Sequence, residues 1–279
     1  MRVISFDVGI KNLACCVFES DSNGNMNDFS NYKILFWDVI NLTCPIEYPA
    51  CCHDGCKVKK IMYVYNATNK YYCTRHAKKT DLGIIPEEYH ENKLNKIPQK
   101  DLFELANQFN LNPIKPTTKK VLLVMLSNHF KDIHLVPIPK DKKASEMDLI
   151  DIGRQMKIAF KERLLLYEPY NHVIIENQIS PIASRMKTIQ GMIAYHFILS
   201  NSDTVIKFVS AANKLNTFTD EKIAKYSDRK KVSIIITNQL LAKYDYFSPY
   251  IKYLEKNSKK DDLADCFLQG LWYLKKYNI

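Results

Sequence analysis

The sequence Arg2-Val3-Ile4-Ser5-Phe6-Asp7-Val8-Gly9 is an apolar run that stops at a carboxylate. A second run of the same kind, residues 172–176, stops at Glu176. Strands covered on both faces carry apolar residues, so a carboxylate belongs at the solvent-facing end. Near the C-terminus Asp262 and Asp265 stand three residues apart, as they would on one helix face. Three acidic elements at one sheet edge repel one another unless a cation neutralises them, which predicts a divalent-metal site.

Each acidic residue, taken singly, has a simpler structural explanation. An Asp after a strand is usually a turn residue, and Asp-x-x-Asp at a helix start usually caps the helix or complements its dipole. The order and placement of all three favour catalysis instead. Hydrolysis of a phosphodiester requires a deprotonated water and a stabilised leaving oxygen. Two metal ions roughly 4 Å apart supply both, and carboxylates suit Mg²⁺ or Mn²⁺.

The order of predicted elements indicates an α/β protein. Three strands are predicted at 2–7, 13–19 and 33–42, with a polar turn at 21–31. After a long insertion the pattern resumes with predicted helices and strands in alternation, at 147–167, 172–176, 183–199, 204–209, 228–242 and 261–275. This order predicts a mixed five-stranded sheet with helices on its faces. We expect a core of residues 1–43 and 146–279, interrupted by segments 44–80 and 81–145.

The composition favours a partner that is a polyanion. The 279 residues carry a net charge of +10 and a pI near 9.0, partly in local groups such as Lys57-Lys59-Lys60. No run is apolar enough to span a bilayer, and the N-terminus shows no secretory signal. We therefore expect an intracellular protein, in the cytoplasm, a viral factory or the nucleus, with reduced cysteines. Cys15, Cys16 and Cys266 are expected in the core.

The acidic motifs resemble those of a known enzyme family. The stretches Asp7-Val8-Gly9-Ile10-Lys11-Asn12, Ile174-Ile175-Glu176-Asn177-Gln178 and Asp262-Leu263-Ala264-Asp265 are similar to the motifs of RuvC-type Holliday junction resolvases, in particular the poxvirus-type and fungal mitochondrial branches. Val209-Ser210-Ala211-Ala212-Asn213-Lys214-Leu215 supports the likeness, which covers roughly residues 1–42 and 146–279.

The resemblance implies an RNase H-like fold, a symmetric homodimer and Mg²⁺-dependent cleavage of four-way DNA junctions, without a nucleotide cofactor. It implies that two Mg²⁺ or Mn²⁺ ions per site are held by four carboxylates: Asp7, Glu176, Asp262 and Asp265. Asp261 is an additional acid and a candidate N-cap for the last helix. The helix at 183–199 is the predicted dimer interface, because Met192, Tyr195 and their apolar neighbours exceed what one sheet face needs, although simple burial is the alternative.

Several basic residues beside these motifs are candidate DNA contacts. Lys11 follows the first strand, and Arg185 and Lys187 begin the helix after Glu176. Phosphate contact is predicted for them, against the alternative of a solvated helix end. Lys259 and Lys260 precede the last Asp pair, where they either offset carboxylate repulsion or hold a backbone phosphate.

The insertion begins with a pattern typical of a zinc knuckle. The spacing of a Cys₃His site is found in Cys52, Cys56, Cys73 and His76. A segment with so small a core needs a bound metal ion for stability. Cys51 is an alternative to Cys52, and Cys44 or His53 is a further candidate ligand. The competing explanation is a set of free thiols. Four protein ligands leave no open position, so the predicted role is structural.

A helix, loop and helix are predicted at 101–109 and 117–130. This pair resembles a SAP-type DNA-binding motif, with Thr117 or Thr118 as the N-cap. Lys119 and Lys120 in the first turn would present charge to phosphate. A plain helical hairpin that covers the core is the alternative.

The sequence thus predicts a metal-dependent endonuclease that resolves four-way DNA junctions by paired symmetric nicks. The alternatives are another nuclease of the RNase H superfamily, acting on RNA–DNA hybrid or as a transposase does, and a junction-binding protein without catalysis. An actin-like ATPase would need a second glycine-rich phosphate loop, and the seven glycines of the chain provide none.

Overall fold

The computed structural model describes residues 1–20, 29–43, 48–139, 143–178, 184–219 and 225–279. The strands in these ranges are β1 Arg2–Asp7, β2 Leu13–Ser20, β3 Tyr32–Ile40, β4 Tyr63–Tyr65, β5 Lys70–Tyr72, β6 Val136–Pro137, β7 His172–Asn177 and β8 Val205–Ser210. The helices are α1 Thr74–Ala77, α2 Glu91–Leu94, α3 Gln99–Gln108, α4 Lys119–Ile133, α5 Leu149–Arg163, α6 Ser184–Ser200, α7 Asn213–Asn216, α8 Tyr226–Lys243, α9 Ile251–Lys256 and α10 Lys260–Tyr277. Three expectations, concerning residues 21–28 of the turn, Cys44 and the helix start at Ala183, lie outside the described residues.

The chain divides into two compact units. The core unit comprises Met1–Cys44 and Lys142–Ile279, and the insertion unit comprises Pro45–Asp141. Each unit has its own sheet and its own buried side chains. The finer division of the insertion at residues 80 and 81 stays a prediction. Among the described residues, no helix has the length and apolar character needed to cross a membrane.

The core unit contains a mixed sheet in the order β3-β2-β1-β7-β8. β1 and β2 are antiparallel, as are β2 and β3, whereas β1, β7 and β8 are parallel. This arrangement confirms the predicted mixed five-stranded sheet with helices on its faces. Alternate side chains of β2 enter two separate clusters, so Cys15 lies on one face and Cys16 on the other, both fully buried.

The parallel pairing of β1 and β7 brings their carboxyl ends together. Phe6 lies opposite Ile175, so the next residue on each strand, Asp7 and Glu176, reaches the same edge of the sheet. The backbone then turns tightly at Gly9, where a Cβ atom would lie 2.5 Å from the carbonyl oxygen of Asn12. A side chain is excluded there, and this turn directs the chain back into β2.

Helix α10 packs closely on one face of this sheet. A Cβ atom at Gly270 would lie 2.4 Å from Cε2 of the buried Phe18, so the contact requires glycine. The amide of Gln269 donates to Ser5 Oγ and to the carbonyl of Phe6, both at 3.0 Å. The indole of Trp37 donates to the carbonyl of Leu263 at 3.0 Å. These contacts fix the helix across β1, β2 and β3.

The insertion unit combines a three-stranded sheet, β5-β4-β6, with a helical pair. Helices α3 and α4 confirm the predicted helix-loop-helix, and the Thr118 hydroxyl accepts from the Val121 amide as the N-cap of α4. The pair buries the side chains of Leu102, Ala106, Leu122, Leu126 and Phe130. The short strands were not predicted from sequence, since two or three residues do not establish an alternating pattern.

Candidate active site

Three carboxylates meet at the edge of the core sheet where β1 and β7 end. Asp7 shares a side-chain hydrogen bond with Glu176, and Asp265 of α10 lies close enough for its charge to act on Asp7. Residues four apart lie on the same face of a helix, so Asp265 shares the face of α10 that carries Gln269. Gln269 contacts β1 through the carbonyl of Phe6, so this face is turned towards β1. The sheet and the helix therefore deliver Asp7, Glu176 and Asp265 to one place.

A lysine lies among these carboxylates. The Lys214 ammonium is 2.6 Å from Asp265 Oδ2 and 3.4 Å from Glu176 Oε2. Only 11% of its side chain is exposed, so the charge is held in a largely dry environment. Burial would lower the pKa of Lys214, but the charges of Asp265, Glu176 and Asp7 outweigh burial and raise that pKa above its ordinary value. Lys214 therefore remains charged.

Sequence reasoning assigned no role to Lys214. The residue lies on α7, just after β8, and β8 runs parallel to β7. The carboxyl ends of parallel neighbours meet at one edge, so a charged residue shortly after the third parallel strand was the available signal. The short helix α7 was not predicted, and without it the direction of the lysine was undetermined.

The ionised form of Asp7 is disfavoured first by burial and then by the neighbouring carboxylate. Burial raises the pKa of Asp7 well above its ordinary value, and the charge of Glu176 and their hydrogen bond raise it further. Lys214 acts in the opposite direction without cancelling these effects. The site thus has an excess of negative charge, which is the condition that divalent cations satisfy.

Asp262 lies one helical turn before Asp265, at the start of α10. Burial raises the pKa of Asp262, and the neighbouring charge of Asp261 adds to the effect. The amide of Gln178 supports the other side of the site, since its Nε2 donates to Glu176 Oε1 at 3.5 Å. The backbone N–H of Gln178 donates to the buried Gln190 side chain of α6 at 3.4 Å. The end of β7 is therefore tied to α6.

Asp261 has a different role from the predicted one. The N-cap position of α10 is occupied by Lys259, and Asp261 instead pairs with the ammonium of Lys230 on α8. Burial alone would raise the pKa of Asp261, but the hydrogen bond and charge of Lys230 outweigh burial and lower it. Asp261 thus joins α10 to α8, so the N-cap expectation is corrected.

The predicted basic contacts differ in exposure. Lys11, Lys187 and Lys259 are exposed, and Lys260 is half-buried. Arg185 turns inward, where its guanidinium donates to the carbonyl oxygens of Met147 and Ala144. These contacts join the start of α6 to the segment before α5, which favours a structural role for Arg185 over the predicted phosphate contact.

The insertion unit contains a compact Cys/His cluster. The potential ligand atoms of Cys51, Cys56, Cys73 and His76 all lie within 4.8 Å of one another. Cys56 Sγ is 3.9 Å from Cys73 Sγ, and His76 Nδ1 is 3.4 Å from Cys51 Sγ. Burial lowers the pKa of His76, and the charge of His53 contributes, so its imidazole is neutral at pH 7 and able to bind a metal.

The cluster contains Cys51 rather than the predicted Cys52. Cys52 is exposed, and its backbone N–H donates to the carbonyl of Tyr71 at 2.8 Å. Cys51, by contrast, is buried, and its Sγ lies beside the potential ligand atoms of Cys73 and His76. His53 stacks on the His76 ring with centroids 3.8 Å apart and lies outside the ligand group.

Comparison with protein families identifies a match that covers the C-terminal half of this chain. The model of the family described as Poxvirus A22 protein matches residues 136–276, just over half of the chain. That range includes Glu176, Lys214, Asp262 and Asp265. The uncharacterized protein L451 of Acanthamoeba polyphaga mimivirus is 25% identical over 324 residues, covering 99% of this chain and 75% of the relative.

Solved structures that are similar to this chain include two resolvases. The fowlpox virus resolvase in complex with its substrate Holliday junction DNA is 18% identical, with a TM-score of 0.44, and the match covers 99% of both chains. The yeast mitochondrial Holliday junction resolvase is 12% identical, with a TM-score of 0.44, and the match covers 98% of this chain and 78% of that one.

We expect Asp7→Asn to stabilise the protein at neutral pH when no divalent cation is added. The folded-state pKa of Asp7 is raised, so protonated Asp7 makes its full contribution to the free energy of unfolding below the unfolded pKa, near 4. That contribution is lost as pH rises through the folded pKa. The neutral amide avoids that loss. The free energy of unfolding of the variant should equal that of the wild type near pH 4 and exceed it by about 1 kcal/mol or more at pH 7.

Urea unfolding at a series of pH values measures this difference. Asp203→Asn, at an exposed turn, is the matched control and should leave the pH dependence unchanged. An Asp7→Asn protein that is less stable than the wild type at pH 7 would contradict the expectation.

Proposed function

This chain belongs to the Poxvirus A22 protein family, and from that membership we propose that it is a metal-dependent endonuclease that resolves four-way DNA junctions. The observation that carries the proposal is the meeting of Asp7, Glu176 and Asp265 at one sheet edge. The fowlpox structure, whose DNA is described as its substrate Holliday junction, supplies the junction as the substrate. The net charge of +10 suits this polyanion.

The residues of the site fit Mg²⁺ or Mn²⁺. Asp7, Glu176 and Asp265, with Asp262 one turn away, offer hard oxygen ligands, and the raised pKa of Asp7 indicates a demand for added positive charge. We propose that these four carboxylates hold two such ions. When bound, the ions lower the pKa of the attacking water and stabilise the leaving oxygen.

Lys214 positions two of these carboxylates. Its ammonium pairs with Glu176 on β7 and with Asp265 on α10, so it holds groups from different elements at a fixed separation. It also offsets part of their repulsion. Gln178 orients the remaining oxygen of Glu176. Lys11, Lys187 and Lys259 are proposed to contact the phosphate backbone around the site.

Loss of one carboxylate should abolish cleavage while DNA binding persists. Asp7→Asn, Glu176→Gln and Asp265→Asn should each cut a labelled four-way junction at least about 100-fold more slowly, because each removes a charged ligand. The dissociation constant for the junction should stay within about threefold, since affinity comes chiefly from phosphate contacts. Gel assays with Mg²⁺ measure cleavage, and fluorescence anisotropy measures binding.

Asp203→Asn is the control in the same assays. Linear duplex, a flap and an RNA–DNA hybrid serve as competing substrates, and cleavage of the hybrid in preference to the junction would favour another RNase H-superfamily nuclease. Near-normal turnover by any of the three variants at limiting Mg²⁺ would remove that residue from the proposed site.

We further propose that the Cys/His cluster binds zinc. Three thiolates and a neutral imidazole suit tetrahedral Zn²⁺, and all four side chains are buried or half-buried. Around them the described residues provide only a small apolar cluster, which includes Ile61 and Tyr71. A bound metal would therefore supply much of the stability of this segment.

Adjacent cysteines provide a test of the zinc proposal. Wild-type protein prepared without chelator should contain about one zinc ion per chain, and Cys51→Ser should lose it. Cys52→Ser should retain the metal, because Cys52 lies outside the cluster. Metal analysis by mass spectrometry gives the zinc content of each protein. A wild type without zinc would rule out the metal, and loss of zinc in the Cys52→Ser variant alone would reverse the ligand assignment.

The paired nicks of the proposed reaction require two active sites, which we assign to a two-fold dimer. Part of the apolar surface of α6 is explained by burial, since Ile189, Ile193 and Phe197 lie in the core. Tyr195, Ile198 and Leu199 remain exposed by 61, 52 and 68%. Met192 is partly buried against the core, so it is a weaker candidate for the interface than Tyr195.

Tyr195→Glu should dissociate the proposed dimer without unfolding the chain. A charge placed at the centre of an apolar interface should raise the dimer dissociation constant by at least about tenfold. Ile235→Glu is the control, because Ile235 is 55% exposed on α8, a helix that packs against α10. Sedimentation equilibrium measures both variants. A wild-type protein that stays monomeric on the junction and still cuts both strands would refute the dimer.

A further inference from the structure

The positive charge of the insertion is concentrated in the segment that carries the Cys/His cluster. Residues 48–80 contain seven Lys and Arg residues and one Asp, a net charge of +6. Residues 81–139, which contain the helical pair, have seven Lys and seven Asp or Glu residues, a net charge of zero. Three thiolates with Zn²⁺ would add about −1 to the first segment. The cluster segment is therefore the electropositive part of the insertion unit.

These charges are available to a ligand. Six of the seven Lys and Arg residues in this segment flank the Cys/His cluster, and all six are exposed. We call them the knuckle surface: Lys57, Lys59, Lys60, Arg75, Lys78 and Lys79. Within the described parts of the chain none of the six forms an ion pair with a carboxylate. In the helical segment, by contrast, Lys93 pairs with Glu87 and Lys131 with Glu91.

The cluster holds two basic segments side by side. Lys57, Lys59 and Lys60 follow Cys56 directly, whereas Arg75, Lys78 and Lys79 lie on and after α1, which begins behind Cys73. Cys56 Sγ and Cys73 Sγ are 3.9 Å apart, so the two basic segments that follow these cysteines begin close to each other. Like charges brought together in this way repel each other, and a polyanion removes that repulsion.

We propose that the knuckle surface binds the phosphate backbone of duplex DNA, as a contact separate from the carboxylate site. Lysine and arginine on a rigid support neutralise successive phosphates without reading bases, so the contact should be independent of sequence. The helical pair, where DNA contact was expected from sequence, is less suited to it. Residues 81–139, which contain the pair, have no net charge, and the ammonium of Lys119 donates to the carbonyl of Asn95 at 3.0 Å.

The choice of DNA as the polyanion rests on the proposed nuclease function. The charge and the exposure of the surface are independent of that function. In a junction resolvase this surface would add phosphate contacts to those made by the core unit. Its loss should weaken binding to plain duplex and to four-way junctions by similar factors.

Matched charge removals test the proposal in the full-length protein. Lys59→Gln/Lys60→Gln and Lys78→Gln/Lys79→Gln each remove two charges from the knuckle surface. Lys96→Gln/Lys100→Gln removes two exposed charges from the helical segment of the same unit. Binding to labelled duplex and to a four-way junction is followed by fluorescence anisotropy at several KCl concentrations, with neither Mg²⁺ nor chelator, so that DNA stays intact and metal stays bound.

Each phosphate contact that is lost should reduce the slope of log affinity against log salt by about one. We expect reductions of about one to two for each knuckle variant and none for the Lys96/Lys100 control, with metal content and thermal midpoint as in the wild type. Equal slopes for all proteins, or equal reductions in knuckle and control variants, would overturn the proposal. The two knuckle variants lie on different segments, so misfolding of one leaves the other informative.

Cleavage by the wild type is measured separately with Mg²⁺. Wild-type protein that fails to cut any junction, together with knuckle-specific slope changes, would refute the proposed nuclease and retain the DNA-binding surface. Efficient junction cleavage by the wild type, together with unchanged slopes in the knuckle variants, would support the proposed nuclease and refute the DNA-binding surface.

Discussion

The packing of α10 against the sheet is the contact on which the arrangement of the site depends. Gly270 lets the helix approach Phe18, and Gln269 bonds to Ser5 and to the backbone of Phe6. Asp265, one turn earlier on the same face, is thereby directed to the end of β1. A larger residue at position 270 would push the helix away and separate Asp265 from Asp7. The close approach of α10 to β1 and β2 is thus set by contacts that contain no charge.

This packing creates an electrostatic conflict that the chain resolves only in part. Folding places Asp7 and Glu176 beside Asp265 in a dry environment, where like charges interact strongly. Lys214 offsets some of the repulsion, yet burial and the charge of Glu176 together still raise the pKa of Asp7. A site of this kind gains more from a divalent cation than an exposed carboxylate cluster would, because less solvent competes for the same oxygens.

The sheet and its acidic edge were predictable because they follow from periodicity and chain order. Apolar runs ending at Asp7 and Glu176 identified the strands, and the order of strands and helices identified a mixed sheet with helices on its faces. Lys214 was not predictable, since its role depends on α7, a helix too short to show a period. Cys51 and Cys52 both suit the spacing of a zinc ligand, and only the fold shows that the Cys51 side chain is the buried one beside Cys73 and His76. Asp261 was assigned to a cap because its partner, Lys230, lies on another helix.

The small sheet of the insertion has a consequence for how the core unit folds. Val3 pairs with His172, which lies 169 positions later in the chain, and closing so long a loop is slow and entropically costly. Within the insertion, Val136 pairs with Val64, and the backbone N–H of Ile138 donates to the carbonyl of Met62. Once these bonds form, the residues from 64 to 136 no longer contribute to the open loop. Folding of the insertion thus shortens the open loop between β1 and β7. If the insertion folds first, the core sheet should assemble faster.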